Sequence, residues 1–263
     1  MDRVLHHAVF KALYHIFDKT FIFDSYSSRD EKGTHRAVNR LQEFFFKVSK
    51  NNTRTCFVLK CDIKKFFDSV DQEILITLIK KRVYDTSFMW LLEEIIKSFS
   101  RGIPLGNVTS QIFANIYLNE LDQFIKHTLK IRYYIRYCDD FVILSDKRIF
   151  LEEIVLQINE FLKINLKLLL HPNKIIIKKY HQGIDFLGYV SFPYHRILRT
   201  KTKNRMFKKI EIKIGEESFD QSLQSYFGIL KHCNSYKLGK KVIDFILNNR
   251  KVIHTIISLT RNF

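Results

Sequence analysis

The sequence predicts an α+β fold built on an antiparallel sheet, and three observations carry that prediction. The apolar runs 133–137 and 141–144 flank Tyr137-Cys138-Asp139-Asp140, a pattern of strand, tight turn and strand. A second short apolar run, Phe57-Val58-Leu59-Lys60-Cys61-Asp62-Ile63, has strand length and carries a carboxylate near its end. Around these runs, apolar residues recur at helical rather than alternating spacing.

Residues 1–17 read as an amphipathic helix, interrupted by His6, His7 and Lys11 and without a signal-peptide core. After the strand at 57–63, Ser69 with Gln72 matches a capping box that opens a helix over Ile74, Leu75, Leu78 and Ile79. Gly102 and Gly106 allow the backbone to approach a ligand closely. In the next helix, Ile112, Phe113, Ile116, Leu121 and Phe124 recur near helical spacing. One stripe then faces the core, and Asn107, Thr109, Ser110 and Gln111 stay available at an open N-terminal end. The hairpin at 133–144 comes next, and residues 183–189 form a shorter one. Arg196, Arg199, Lys201, Lys203, Arg205, Lys208, Lys209 and Lys213 fall in one stretch that holds a single acid, Glu211. Residues 219–263 read as helical, with Leu223, Tyr226, Phe227 and Leu230 on one face.

Like charges crowded at a hairpin tip contribute little stability. Asp139 and Asp140 become useful if they hold a divalent cation, since Mg2+ takes carboxylate oxygens and then binds phosphates. Asp62, at the end of the other strand, is a third acid that could complete such a site. Plainer readings fit too: Asp-Asp is an ordinary turn sequence, and Asp62 could be a solvated strand end or a helix cap.

With 44 Lys and Arg against 27 Asp and Glu, the formal charge is +17. That balance favours a polyanion and puts nucleic acid first among partners, ahead of membrane surfaces and acidic proteins. Cys56, Cys61, Cys138 and Cys233 show no CxxC spacing or zinc-type His partners, which points to a reduced cytoplasmic protein. No apolar run approaches the roughly 18 residues of a membrane span, so no membrane partner is expected.

Several ordered segments together resemble the palm motifs of reverse transcriptases. They are Cys61-Asp62-Ile63-Lys64-Lys65-Phe66-Phe67, then Gly102-Ile103-Pro104-Leu105-Gly106-Asn107-Val108-Thr109-Ser110-Gln111, then Tyr137-Cys138-Asp139-Asp140, then Gly183-Ile184-Asp185-Phe186-Leu187-Gly188-Tyr189. Upstream, Ser25-Tyr26-Ser27-Ser28-Arg29 through Gly33-Thr34-His35-Arg36-Ala37-Val38 resembles the fingers motif of group II intron and related bacterial enzymes. Within that superfamily the chain looks most like the reverse transcriptases of diversity-generating retroelements. Group II intron enzymes generally carry Gln-Gly before this helix and Ser-Pro within it, whereas here Leu105 stands at the Gln position and Gln111 at the Pro position. Some retron and other bacterial enzymes share the Ser-Gln variant.

The resemblance implies a right-hand polymerase with partial helical fingers over 1–55, an antiparallel-sheet palm over 56–195 and a basic helical thumb over 196–263. Helices at about 72–100 would contribute to the fingers. It implies an RNA-directed DNA polymerase that extends a DNA or RNA primer on an RNA template with dNTPs. Asp62, Asp139 and Asp140 would hold two Mg2+ ions, with Mn2+ as a substitute. Phe67 would pack under the sugar and exclude a 2′-hydroxyl, a specificity by clash. Ile63, Gly106, Arg29 and Lys174 would contact the incoming nucleotide, Lys174 near the departing pyrophosphate. Leu105, Ser110 and Gln111 would face the template and set fidelity, an aliphatic residue at 105 going with error-prone copying of adenines. Phe186, Leu187 and Gly188 would grip the primer, and Arg196, Arg199, Lys201, Lys203, Arg205, Lys208 and Lys209 would bind nucleic acid. A small basic accessory protein is the further partner the resemblance implies.

One departure stands out. Met1-Asp2-Arg3-Val4-Leu5-His6-His7-Ala8 resembles the middle of the first fingers motif, without the preceding basic part. The expectation is an earlier reading-frame start, reduced fingers with weaker nucleotide affinity, or a protein that has kept only nucleic-acid binding. No maturase-like or endonuclease segment is read after Phe263. The alternatives to the retroelement reading are a retron-type or defence-associated enzyme and a non-catalytic RNA-binding derivative.

Overall fold

Alternation along the first strand decides the architecture. In a computed structural model describing residues 3–248, β1 (Phe57–Asp62) turns Leu59 and Cys61 to one side and Val58, Lys60 and Asp62 to the other. Upstream lie α1 (Arg3–Phe17) and α2 (Thr34–Val48). Downstream come α3 (Phe66–Ser69), α4 (Gln72–Lys80), α5 (Thr86–Lys97) and α6 (Val108–Gln123), the last running into a π turn at Phe124–Thr128. The hairpin of β2 (Tyr134–Tyr137) and β3 (Asp140–Ser145) precedes α7 (Arg148–Leu166) and β4 (Ile176–Lys179). These strands form one antiparallel sheet in the order β2-β3-β1-β4.

The two faces of the sheet have different covers. Leu59, Cys61, Phe141 and Ile143 join the main apolar core with Leu13 of α1, Leu75 of α4, Ile116 of α6 and Ile158 of α7. On the opposite face, which carries Val58, Val142 and Leu144, α2 packs against β2 and β3. There Phe45 of α2 stacks on Tyr180 at 4.0 Å.

Helix α6 departs from the expected single apolar stripe. Thr109, Ser110, Asn115 and Asp122 are buried along with its apolar residues, because α1, α4, α7 and the sheet surround it. The capping box also requires correction. Ser69 ends α3 with its hydroxyl turned toward the Lys64 carbonyl, whereas Asp71 is extended and accepts the Ile74 amide at 3.0 Å. Asp71 is thus the N-cap, and its hydrogen bond to Lys167 holds its carboxyl below the usual range. Gln72 is occupied elsewhere, donating to the carbonyls of Phe99 and Gly102.

Contacts divide the chain into two units, one ending at Tyr180 and the other starting at His181. In the second unit β5 (Ile184–Phe186), β6 (Tyr189–Ser191) and β7 (Arg196–Leu198) form a small antiparallel sheet, succeeded by α8 (Thr200–Lys213), α9 (Phe219–Leu230) and α10 (Tyr236–Asn248). The contact boundary therefore precedes the expected one at 195/196, because β6 pairs with β7 and ties the 184–191 hairpin to the basic segment. Nor does 1–55 separate from the expected palm: α1 packs on α6 and α2 on the sheet. Leu223, Phe227 and Leu230 are buried as expected on α9, with Tyr226 half-buried. Residues 249–263 of the expected thumb, and Met1 and Asp2 of the first fingers motif, lie outside the described residues.

Replacing Asp71 by Ala should lower stability by about 1 kcal/mol through loss of the cap. Urea unfolding should show a lower midpoint with an unchanged slope.

Candidate active site

Strand register places the acids. Asp62 lies directly opposite Asp140 across β1 and β3, so both side chains leave the same face at the same end. Directly opposed residues of an antiparallel pair hold their Cβ atoms about 5 Å apart. Tyr137 pairs with Asp140, leaving Cys138-Asp139 as the two-residue turn. Cys138 has φ 54°, a left-handed conformation that costs a side-chain-bearing residue roughly 1–2 kcal/mol. Asp139 is thus carried next to the facing pair by a strained turn.

Electrostatics at this end are unfavourable to charge. Burial pushes the Asp139 carboxyl above the usual range; its own amide opposes the shift and the charge of Asp62 adds to it. Burial also raises Asp140, against the attraction of Lys60 and with the repulsion of Asp62 and Asp139. Two lysines supply counter-charge: Lys174 Nζ donates to Asp62 Oδ2 at 2.8 Å, and Lys60 Nζ lies 3.9 Å from Asp140 Oδ1. The bond to Asp62 raises the Lys174 pKa and keeps its ammonium charged. The segment carrying Lys174 is registered on the strand, since the His171 amide donates to the Asp62 carbonyl at 2.8 Å. Lys60 escaped the sequence analysis, although period-two alternation puts it on the Asp62 face. Among the described residues, no three His, Cys, Asp or Glu side chains are already gathered as a metal cage.

Five residues after Asp62, Phe67 is half-buried and meets Phe66 edge to face at 5.2 Å. Its carbonyl accepts the Ile103 amide at 2.9 Å. A Cβ on Gly102 would stand 2.1 Å from that oxygen, and Gly102 has φ 56°, so only glycine allows this close approach. The loop beyond is thereby stitched to α3, and Leu105 projects from it 76% exposed. Gln111 is exposed as well, but Ser110 is buried and turned inward, which removes it from the expected template surface. Ile63 is likewise buried, bridging to Leu170, so any nucleotide contact there falls to its backbone. Gly106 is open, and at the head of α6 a cavity of about 500 Å³ is lined by Gly106, Asn107, Val108, Arg3, His6 and His7.

Arg29 corrects a further expectation. Its guanidinium bonds Asp18 Oδ1 at 2.6 Å and also the carbonyls of Ile22, Ser25 and Asp18. It closes the 18–29 loop internally instead of facing a triphosphate. A larger buried network was missed altogether. Arg136 forks onto Asp122 at 2.8 and 2.6 Å, and Tyr134 donates to the same carboxylate at 2.7 Å. An arginine inside the apolar strand Tyr134–Tyr137 was the available signal.

In the second unit, Leu187 and Gly188 form a two-residue turn with φ 51° and 88°, while the Phe186 ring is wholly buried. Of the residues expected to grip a primer, the turn backbone and Leu187 are accessible and the Phe186 ring is not. Arg199 precedes α8 and pairs with Asp185 at 3.0 Å. Arg196 and Lys203 are half-buried, whereas Lys201, Arg205, Lys208 and Lys209 are exposed on α8, away from the buried Met206 and Ile210.

The fold agrees with the comparisons to known proteins. The family profile described as reverse transcriptase (RNA-dependent DNA polymerase) matches residues 1–191. Protein YkfC of Escherichia coli K12 is 28% identical over 244 residues, covering 77% of this chain and 62% of that protein. The group II intron-encoded protein LtrA of Lactococcus lactis is 28% identical over 134 residues, 47% of this chain and 21% of LtrA. The chain thus spans less than two thirds of the length of these relatives. Among solved structures, apo telomerase from Candida tropicalis superposes with a TM-score of 0.57 at 15% identity, covering 74% of this chain and 45% of the telomerase. That likeness shows a shared α+β polymerase fold, and with the profile spanning most of the sequence the chain belongs to the reverse transcriptase family.

Proposed function

We propose that the chain is an RNA-directed DNA polymerase, a reading carried by the Asp62 and Asp140 cross-strand pair with Asp139 in the adjoining turn. The donor types suit a hard divalent ion: Asp62 and Asp140 face one another at one strand end with Asp139 in the adjoining turn, and burial with repulsion from neighbouring acids holds Asp139 and Asp140 above their usual pKa. Asp62, Asp139 and Asp140 would hold two Mg2+ ions, or Mn2+ in their place. Bound there, the metal would supply Lewis-acid stabilisation of the attacking 3′-hydroxyl and the departing oxygen.

The protein's own groups do the rest. Lys174, charged and 2.8 Å from Asp62, brings a positive group toward the departing pyrophosphate. Phe67 walls the sugar side and excludes a 2′-hydroxyl, its position set by Gly102 and the Ile103 amide. The open Gly106 and the basic residues around the cavity at the head of α6 suit phosphate, because helix N-termini carry partial positive charge. Lys201, Arg205, Lys208 and Lys209 would add salt-sensitive contacts to template and primer.

The finer reading is the error-prone enzyme of a diversity-generating retroelement, supported by the exposed Leu105 before α6. A small basic accessory protein would then be a partner. A second reading, an RNA-binding derivative without catalysis, draws on the lysines that engage Asp62 and Asp140. A reducing cytoplasmic setting suits Cys56 and Cys138, whose free thiols burial pushes up to about 12. No helix among the described residues is long and apolar enough to cross a membrane.

Primer extension on an RNA template with dNTPs and Mg2+ should proceed for the wild type and vanish for Asp139→Ala, with RNA binding retained. Extension by both would remove Asp139 from the chemistry; RNA binding without extension by either would favour the second reading. Stability gives a separate check. A carboxyl with a raised native pKa makes the folded state the better proton binder, so its charge costs stability fully above that pKa and ever less as pH falls toward about 4. Without metal, Asp139→Asn should therefore melt above the wild type at neutral pH, with a margin that closes on acidification. Millimolar Mg2+ should stabilise the wild type more than the variant. Finally, sequencing of cDNA should show errors concentrated opposite template adenines and reduced by Leu105→Gln; an even spread over four bases would refute the retroelement reading.

A further inference from the structure

Arg136 is wholly buried in β2, yet it spends more than its charge on Asp122. Beyond the fork, Nη1 donates to Asn115 Oδ1 at 3.3 Å and to the Cys138 carbonyl at 3.2 Å. Nη2 also donates to Ser25 Oγ at 3.1 Å. The backbone repeats the connection: the Arg136 amide donates to the Asp24 carbonyl, and the Tyr26 amide to the Arg136 carbonyl, both at 3.0 Å. Asn115 closes the circuit by donating to the Ser27 carbonyl at 2.8 Å. One guanidinium thus joins α6, the 24–27 loop and the turn that carries Asp139.

Stability alone does not account for this residue. A buried ion pair can often be exchanged for apolar side chains of similar volume without loss of stability. What apolar side chains cannot replace is the bond to the Cys138 carbonyl. Cys138 sits at φ 54°, a conformation that a side-chain-bearing residue leaves readily when nothing holds its peptide. The next residue is Asp139, so release of the Cys138 peptide swings that carboxylate away from Asp62 and Asp140.

We propose that Arg136, anchored by Asp122, is a positioning residue for nucleotidyl transfer, holding the Cys138 peptide in its left-handed turn so that Asp139 stays beside Asp62 and Asp140. This rests on the polymerase reading above. Arg136 touches neither nucleotide nor primer; it acts through the turn.

The test is the double variant Arg136→Met/Asp122→Leu, which leaves no unpaired buried charge, assayed by primer extension and by amide hydrogen exchange of the turn. Its kcat should fall at least about tenfold with KM for dNTP within about twofold, and amides 138–140 should exchange faster by a similar factor. Adding Cys138→Gly should restore a substantial part of kcat, because glycine adopts this φ without strain and a merely structural role gives no such rescue. If the double variant fails to fold, Arg136→Lys takes its place; it keeps the charge on Asp122 but cannot also reach the Cys138 carbonyl, and the same loss and rescue are expected. Wild-type kcat and wild-type exchange in the folded variant, or a loss that glycine leaves untouched, would overturn the proposal. A wild type inactive on every template, with turn exchange still accelerated in the variant, would refute the polymerase reading and with it the role in nucleotidyl transfer, while showing that Arg136 holds the turn.

Discussion

The register between β1 and β3 is the constraint on which the rest of this structure depends. Leu59 with Ile143 and Cys61 with Phe141 must enter the core, and that demand sets which residues pair. A slip of one residue would turn every side chain to the other face, taking Leu59 and Cys61 out of the main core and turning Lys60 and Asp62 into it. Hydrophobic burial thereby determines where the acids stand, although no acid contributes to it. The site is a by-product of register in the folding sense and its purpose in the functional sense.

That arrangement concentrates cost in one place. Asp62 and Asp140 face each other with Asp139 in the adjoining turn, Asp139 and Asp140 stand at elevated pKa, and that turn holds Cys138 in a left-handed conformation. Such strain persists only where the surroundings over-determine it. Here they do: α6 is buried on nearly every side, and its Asn115 and Asp122 reach the strand through Arg136. A helix buried along most of its length thus backs a turn held in a left-handed conformation.

Legibility in the sequence depended on how far apart the interacting partners lie. The hairpin, the strand ending at Asp62 and the helices over 1–17, 74–79 and 112–124 were legible because each is a local pattern with its own period, whereas the helix Arg148–Leu166 was not read. Asp71 was overlooked for Ser69 because both residue types cap helices, and only the backbone decides which is extended. Lys174 meets Asp62 across 112 positions, and Arg136 meets Ser25 across 111. No window of sequence contains such pairs. Arg29 shows the reverse error: its motif suggested an outward role, while Asp18 and nearby carbonyls claim its donors. An arginine has enough donors to be either a ligand site or a loop clasp, and composition cannot distinguish the two.

A final tension links charge to function. The chain carries +17 in total, yet the ionisable groups at the candidate active site are mainly acidic. A polyanion drawn by the basic surface meets repulsion where chemistry would occur, so attraction and reaction demand opposite signs. Lys60 and Lys174 reconcile them locally by lying against Asp140 and Asp62. Lys174 is more than half exposed, on a segment tied to the strand end through the His171 amide, and so its side chain can move without disturbing the core. A counter-charge built this way neutralises the acids and can still be shared with an arriving phosphate, a property that a buried arginine such as Arg136 could not provide.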